Sequence, residues 1–458
     1  MHIFAPLFSD THNDTEHIMK RSLYAIMPLL LALTFSCVKY PLPNYPQKTP
    51  VEKEEQGTDP EPDKEPEQGQ DPEQPQEPGK TIEVVTMDFD LENEVVRDYI
   101  DYVYEHPYTD TDFTATYIEN YYRTPRNNGF SGDWPAVKSI GWEIVQGSTS
   151  QTLVISEKED GSDPIQTVTL PADAGSYTVT DLIPGHTYYC TVSAQIGDGG
   201  SEDEYKAVIN ATGRRRMIAV DGIGNVRDLG GLCTEDGKHV KYGLLFRGSR
   251  LNNNGMTLSQ GDKDELLRIG IRADLDLRED TSDKLGSVYG VYRSPISNDI
   301  DYELFPLANK SYFDKLRVND EYIKAMQWVI DELRDGKPVY FHCKTGADRT
   351  GTLAFLIESL LGVTEMDKSI DFELTSFFYD FGDPQSYAFR SRNINKTIEI
   401  ADKSAYNWEE MHKLLDSYYS GSSFQQKVYN YFLKGIGKFT SSKISSEDLD
   451  WFIDYMLE

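Results

Sequence analysis

Basic residues are scarce in this chain of 458 residues: 45 Lys and Arg stand against 76 Asp and Glu, a formal net charge of −31. A nucleic acid demands basic patches for its phosphates, so it is excluded as the main partner. Cysteine is scarce too. Cys37, Cys190, Cys233 and Cys343 are the only four, too scattered for a disulfide framework, and no CxxC pair suggests zinc. Long apolar runs are missing as well. The most apolar stretch, ahead of Cys37, is about 14 residues and too short for a permanent membrane span. What remains is length for two or three domains, with 38% hydrophobic and 12% aromatic residues to build their cores.

The apolar stretch belongs to a three-part pattern. From Met19 the chain reads "MKRSLYAIMPLLLALTFSC": two basic residues, the apolar run, then small Ser36 before Cys37, the layout of a secretory signal over residues 1–37. Translation is expected to begin at Met19. A cysteine at the cleavage point resembles the lipobox of bacterial lipoproteins, which implies lipidation at Cys37. The expected location is therefore an exported, membrane-anchored protein on the periplasmic or cell-surface face. Residues 38–82 follow as a Pro/Glu/Gln-rich linker. Between Val51 and Lys80 it holds 11 acidic and 3 basic residues, so it is expected to be an extended, self-repelling spacer.

Residues 83–136 are rich in aromatics and carry no chemical motif; their structure stays open. From 137 to 213 the pattern turns to alternation with period two, in "SQTLVISEK", "TYYCTVSAQ" and "EYKAVINAT", as in an antiparallel β-sandwich. "LIPGHTYYCTV", with Leu182, Pro184, Gly185 and Tyr188, resembles the tyrosine corner of fibronectin type III domains, with Trp142 as the core aromatic. In residues 218–458 strands and helices alternate. "IGIRADLDLRE" and "KPVYFHC" read as buried strands, "DEYIKAMQWVIDELRDG" and "RTGTLAFLIESLLG" as helices ended by Gly336 and Gly362. Such alternation predicts an α/β domain with a mostly parallel central sheet flanked by helices. Its ligands sit beyond the carboxyl ends of the strands.

"HCKTGADRTG", His342 to Gly351, occupies such a place, between a strand and a helix. Cys343 and Arg349 with five residues between them are a weak signal alone; the surroundings sharpen it. A thiol is mostly protonated at neutral pH, with an ordinary pKa of about 8.5. A helix N-terminus and a ring of backbone N–H groups favour its thiolate and cradle phosphate oxygens. Gly346 lets the backbone of Lys344, Thr345, Gly346 and Ala347 curl. Arg349 offers a planar fork for two phosphate oxygens. Thr350, ahead of Gly351, can donate to the sulfur. An ester's leaving oxygen also needs a proton, hence a nearby carboxylic acid.

The loop, with "GNVRDLGG" (224–231), "GLLFRGSRL" (243–251) and "ADLDLRE" (273–279) before it, resembles the cysteine-dependent protein tyrosine phosphatase superfamily. Within it, the resemblance is to the secreted bacterial tyrosine and dual-specificity phosphatases that also act on phosphoinositides. It implies Cys343 as nucleophile, Arg349 as phosphate ligand and Thr350 as the hydroxyl behind the sulfur. Family loops read HCxAGKDRTG. Thr345 replaces the Ala and Ala347 the Lys, so one cation beside the pocket is gone. No WPD string exists outside "DWP" at 133–135; the resemblance then points to Asp348 as general acid, with Asp299 and Asp301 as alternatives. His342 is expected to support Cys343, and Arg247 either to line the pocket or to form a structural ion pair.

The sequence thus predicts a fibronectin type III-like sandwich followed by an α/β phosphatase domain that hydrolyses phosphomonoesters through a cysteinyl-phosphate, with no metal or other cofactor. Phosphorylated protein is the leading substrate class. Phosphoinositides or inositol phosphates are the alternative, and a non-catalytic phospho-ligand binding module is the rival reading.

Overall fold

In the computed structural model, the described residues are 82–92, 96–97, 100–101, 104, 138–180, 182–197, 201–220, 223–253, 256–279, 293–307, 320–375, 408–436 and 442–458. The signal, Cys37, the linker up to residue 81, "DWP" and most of 83–136 lie outside them.

The first unit has two β layers. Strands β1 (Val84–Asp90), β7 (Ser201–Thr212), β6 (Thr187–Ile196), β3 (Ser148–Ser156) and β4 (Gln166–Pro171) form one sheet in that order, and β2 (Lys138–Gly141) pairs with β5 (Ser176–Val179) in a second. Alternation builds the core between them: Tyr188, Cys190, Val192 and Ala194 of β6 are buried. The first three pack with Ile140 and Val179 of the smaller sheet and with Leu153 and Ile155 of β3. Tyr188 Oη accepts from the Ile183 N–H at 2.9 Å, and Gly185 between them has φ +85°. Trp142 lies just past β2, half-buried, and donates from Nε1 to Gln151 at 2.7 Å. The expected start near residue 137 leaves out one strand. β1 runs parallel to β7, and it escaped notice because Val84 and Val85 are exposed and Phe89 is its one buried hydrophobic. An edge strand with one inward side chain shows little alternation.

The second unit is α/β. Its sheet runs β13 (Asp301–Leu304), β12 (Ala273–Asp276), β14 (Val339–His342), β9 (Leu245–Gly248) and β8 (Arg227–Asp228). The first four are parallel and β8 is antiparallel to β9. Helix α1 (Gln260–Arg268) opens with a capping box at Ser259. Helix α2 (Glu321–Arg334) packs its apolar stripe, Ile323, Met326, Val329, Ile330 and Leu333, into the core. Helix α3 (Arg349–Leu360) is buried on every side, as a helix must be when it sits between a sheet and other helices. The outer helices are α4 (Glu365–Leu374), α5 (Trp408–Tyr418), α6 (Phe424–Lys434) and α7 (Ser446–Met456). Gly336 and Gly362 follow α2 and α3 with φ of +72° and +73°, the left-handed residue that ends a helix cheaply when it is glycine.

The units meet at "GRRRM". The backbone N–H groups of Arg214 and Arg215 donate to Glu92 at 2.9 and 3.1 Å. The Arg215 guanidinium then pairs with Asp367 of α4 at 2.5 Å, both nearly inaccessible, and Arg216 pairs with Asp228 at 3.0 Å.

Candidate active site

Strand register sets the site. His342 of β14 lies level with Asp276 of β12 and Gly248 of β9, at the carboxyl edge of the sheet. The chain leaves that edge as the loop 343–348 and re-enters as α3, with Asp348 at the N-cap. The turn depends on Gly346, whose φ is +67°; a Cβ there would stand 2.3 Å from the Gly248 carbonyl oxygen. The first bonds of the helix run from Gly351 N to Ala347 O at 3.1 Å and Thr352 N to Asp348 O at 2.8 Å. The N–H groups before Gly351 are those that a helix start leaves for an anion.

Cys343 stands in the middle of this turn, 2% exposed. Burial alone would push its thiol up. The Arg349 charge and the neighbouring Thr350 outweigh that, and the thiol falls below its ordinary range. Asp348, half-buried at the N-cap of α3, acts on Cys343 in the opposite sense through its charge. Arg349 is buried and donates to the Leu307 carbonyl at 3.2 Å, while its own carbonyl accepts from Tyr322 Oη at 3.4 Å. Lys344 is exposed at the mouth, and Thr345 is half-buried.

His342 is buried behind the cysteine. Its Nδ1 lies 3.2 Å from the Cys343 carbonyl oxygen and its Nε2 lies 3.1 Å from Asp274. An oxygen close to each ring nitrogen suits the imidazolium. Burial opposes that form, but Asp276 and Asp274 prevail and raise the pKa of His342 above its ordinary value. Asp276 is held at about 2: burial opposes its ionisation, and His342 and Arg278 overcome the burial. It accepts from Arg278 and, at 2.9 Å, from Tyr302. The histidine thus fixes the backbone at the nucleophile, with no route to act as a base toward solvent.

Beneath the loop lies a brace whose anchor, Asp371, carries no distinctive sequence signal. Asp371 of α4 accepts from Arg227 Nε at 2.6 Å and also pairs with Arg247. Arg247 donates from its other terminal nitrogen to the Gly346 carbonyl at 3.0 Å. Of the two expectations for Arg247, the ion pair is present: the side chain is fully buried and bonded to Asp371. Asn225, with φ +65°, accepts from Arg227 and donates to the Thr345 carbonyl at 3.2 Å. Asn225 and Arg227 sit in the "GNVRDLGG" string; nothing in the sequence around Asp371 singles it out.

The alternative acids are elsewhere. Asp301 opens β13 level with Ala273, at the amino end of the parallel strands, and pairs with Lys337 at 2.6 Å. Asp299 precedes it and is exposed. Both are a strand length, roughly 10 Å, from the carboxyl edge. Asp348 is the one of the three carboxylates that the fold brings to Cys343.

A buried thiol of lowered pKa, a guanidinium and a helix start thus meet in one turn. Among known proteins, residues 218–438 match the tyrosine phosphatase family, a span that covers the sheet and helices through α6. A curated protein of Cupriavidus necator named as a tyrosine-protein phosphatase is 27% identical over 169 residues, 33% of this chain. The chain spans 60% of the length of that relative. Among solved structures, P. aeruginosa TpbA matches at 19% identity over 31% of this chain and 74% of that chain, with a TM-score of 0.21. Its phosphotyrosine complex matches at 17% over 32% and 75%, also with a TM-score of 0.21. A Fn3-like protein from Clostridium thermocellum matches at 23% over 17% of this chain and 78% of that chain, with a TM-score of 0.14.

Proposed function

We propose that this protein is a protein tyrosine phosphatase that works through a cysteinyl-phosphate. The observation that carries the reading is the lowered thiol of Cys343 next to Arg349 at the start of α3. The Cys343 thiolate attacks phosphorus while Arg349 and the loop N–H groups hold the equatorial oxygens. As the P–O ester bond breaks, Asp348 gives its proton to the leaving phenoxide. Water then attacks the phosphorus and loses its proton to Asp348, the P–S bond breaks, and Thr350 hydrogen-bonds the departing sulfur. The steps balance without a metal ion. Ala347, where related loops carry lysine, favours a substrate with one phosphate over a multiply phosphorylated lipid. The first unit is read as a fibronectin type III-like spacer. Residues 1–82 are read as a lipoprotein signal cleaved at Cys37 and an acidic linker, so that the enzyme is exported and tethered to a membrane; the layout of that sequence supports this.

The test is hydrolysis of para-nitrophenyl phosphate and of a phosphotyrosine peptide by the full chain in EDTA, beside Cys343→Ser. Turnover that persists in EDTA and is lost in Cys343→Ser is the expected result. No turnover on either substrate, with phosphate still protecting Cys343 from alkylation, refutes catalysis and leaves a phospho-ligand binding module.

A further inference from the structure

We infer that Asp371, with Asn225, is a positioning residue for the phosphate-binding loop: one buried carboxylate on α4 aims two successive peptide groups of the loop. The inference rests on the reading of the loop as a phosphate seat, and it adds residues outside the loop.

Two routes leave Asp371. One runs through Arg247 to the Gly346 carbonyl at 3.0 Å. The other runs through Arg227 and Asn225 to the Thr345 carbonyl at 3.2 Å. A trans peptide is planar, and its C=O and N–H point in opposite directions. Anchoring the carbonyls of Thr345 and Gly346 therefore turns the N–H groups of Gly346 and Ala347 the other way, into the turn above Cys343. Those two N–H groups are donors for the phosphate oxygens, and their aim is fixed before substrate arrives. Preorganised donors of this kind cost no reorganisation in the transition state.

The carboxylate is itself held. Asp371 keeps its charge because Arg227 and Arg247 overcome the burial that opposes it. Glu358 of α3, buried against Asp371, is pushed far above the ordinary carboxylate range by burial and by the Asp371 charge. That favours its neutral form, which does not compete for the guanidiniums. One turn earlier on α4, Asp367 is tied to Arg215 at 2.5 Å and to the Cys233 N–H at 2.8 Å, so the helix that carries the anchor is pinned at the junction with the β unit.

Replacing Asp371 leaves two buried guanidiniums short of a counter-charge, and such a variant can fail to fold. Asn225→Gly avoids this: glycine accepts the positive φ, and every buried ion pair stays. Three quantities would be compared in full-length parent and Asn225→Gly: kcat/KM for para-nitrophenyl phosphate, the pH dependence of iodoacetamide alkylation at Cys343 followed by peptide mass spectrometry, and protection by inorganic phosphate. The expected result is a loss in kcat/KM of about tenfold, weaker phosphate protection, and an alkylation midpoint moved to higher pH, whatever the change in melting temperature from the buried bonds removed. A merely structural Asn225 would lower Tm and leave the alkylation midpoint and phosphate protection at parent values; that result overturns the inference. If the parent hydrolyses neither phosphomonoester, the proposed function fails alone, and the alkylation and protection comparison still decides whether Asn225 positions the loop.

Discussion

Gly346→Ala is the substitution whose cost the structure fixes most directly. The alanine Cβ would stand 2.3 Å from the Gly248 oxygen and 2.4 Å from its carbon, both backbone atoms at the end of β9. Carbon–oxygen contacts in proteins settle near about 3.3 Å, so loop and strand must part by about 1 Å. β9 is hydrogen-bonded between β14 and β8, so most of that shift falls on the loop. A misplacement of about 1 Å at a reacting centre costs roughly 10²-fold in rate. The φ of +67° adds about 1–2 kcal/mol of strain for a residue with a Cβ. For a unit of this size that lowers the melting temperature by about 2–8 °C. The expected outcome is a folded protein, slightly less heat-stable, with kcat/KM for para-nitrophenyl phosphate down by about two orders of magnitude. A Gly346→Ala protein within threefold of the parent would refute the reasoning, because it would show that the contact with Gly248 does not set the loop's position.

Two further outcomes follow from the same geometry. If Asp348 protonates the leaving oxygen, Asp348→Asn should lose roughly 10²- to 10³-fold on phenyl phosphate. The loss should be smaller on para-nitrophenyl phosphate, whose nitrophenolate leaves without help; equal losses on both would remove Asp348 from that role. The two buried cysteines should act on stability with opposite sign as pH rises. Cys343 has a lowered thiol pKa in the folded protein, so between that value and the unfolded value of about 8.5 the unfolded chain binds more protons and stability increases with pH. Cys190 is pushed up to about 12 by burial in the β unit. Above about 8.5 its unfolded thiol ionises and the folded one does not, so stability drains away toward pH 12. Urea midpoints of parent, Cys343→Ser and Cys190→Ala from pH 6 to 10 would check both slopes, and a Cys190→Ala protein that keeps the parent's alkaline slope would sink the second.

Short-range features of the α/β unit were legible before any coordinates. β14, the loop and α3 are contiguous, so an apolar strand, a glycine turn and a helix start carry their own signature, and Gly336 and Gly362 mark the ends of α2 and α3 where expected. The β1 strand was not legible, since it joins its sheet through backbone pairing with residues about a hundred positions later and buries little. Nor was the brace. Asp371 meets Arg227 across 144 residues and Arg247 across 124, and no local pattern records a contact of that range. Asp299 and Asp301 show the converse limit. They are close to β13 in sequence, but which end of the strand faces the site depends on strand direction, and parallel pairing with β12 sends them to the far end.

An anion site in a chain of formal charge −31 is consistent once burial is considered. Surface carboxylates more than a Debye length away, about 8 Å at physiological salt, are largely screened from a phosphate in the loop. Buried charges are not. Two guanidiniums, Arg227 and Arg247, share the Asp371 carboxylate, and burial with the Asp371 charge pushes Glu358 beside it toward its neutral form, which leaves positive potential beneath the loop. It is reinforced by Arg349 and by the start of α3 inside the turn. Positive potential in this protein is therefore stored under the loop, where substrate feels it and bulk salt does not, and the cation absent at Ala347 is offset from below. Arg349 and Thr350, within the turn itself, account for a Cys343 thiol held low despite nearly complete burial, which the surface charge of the chain would not have suggested.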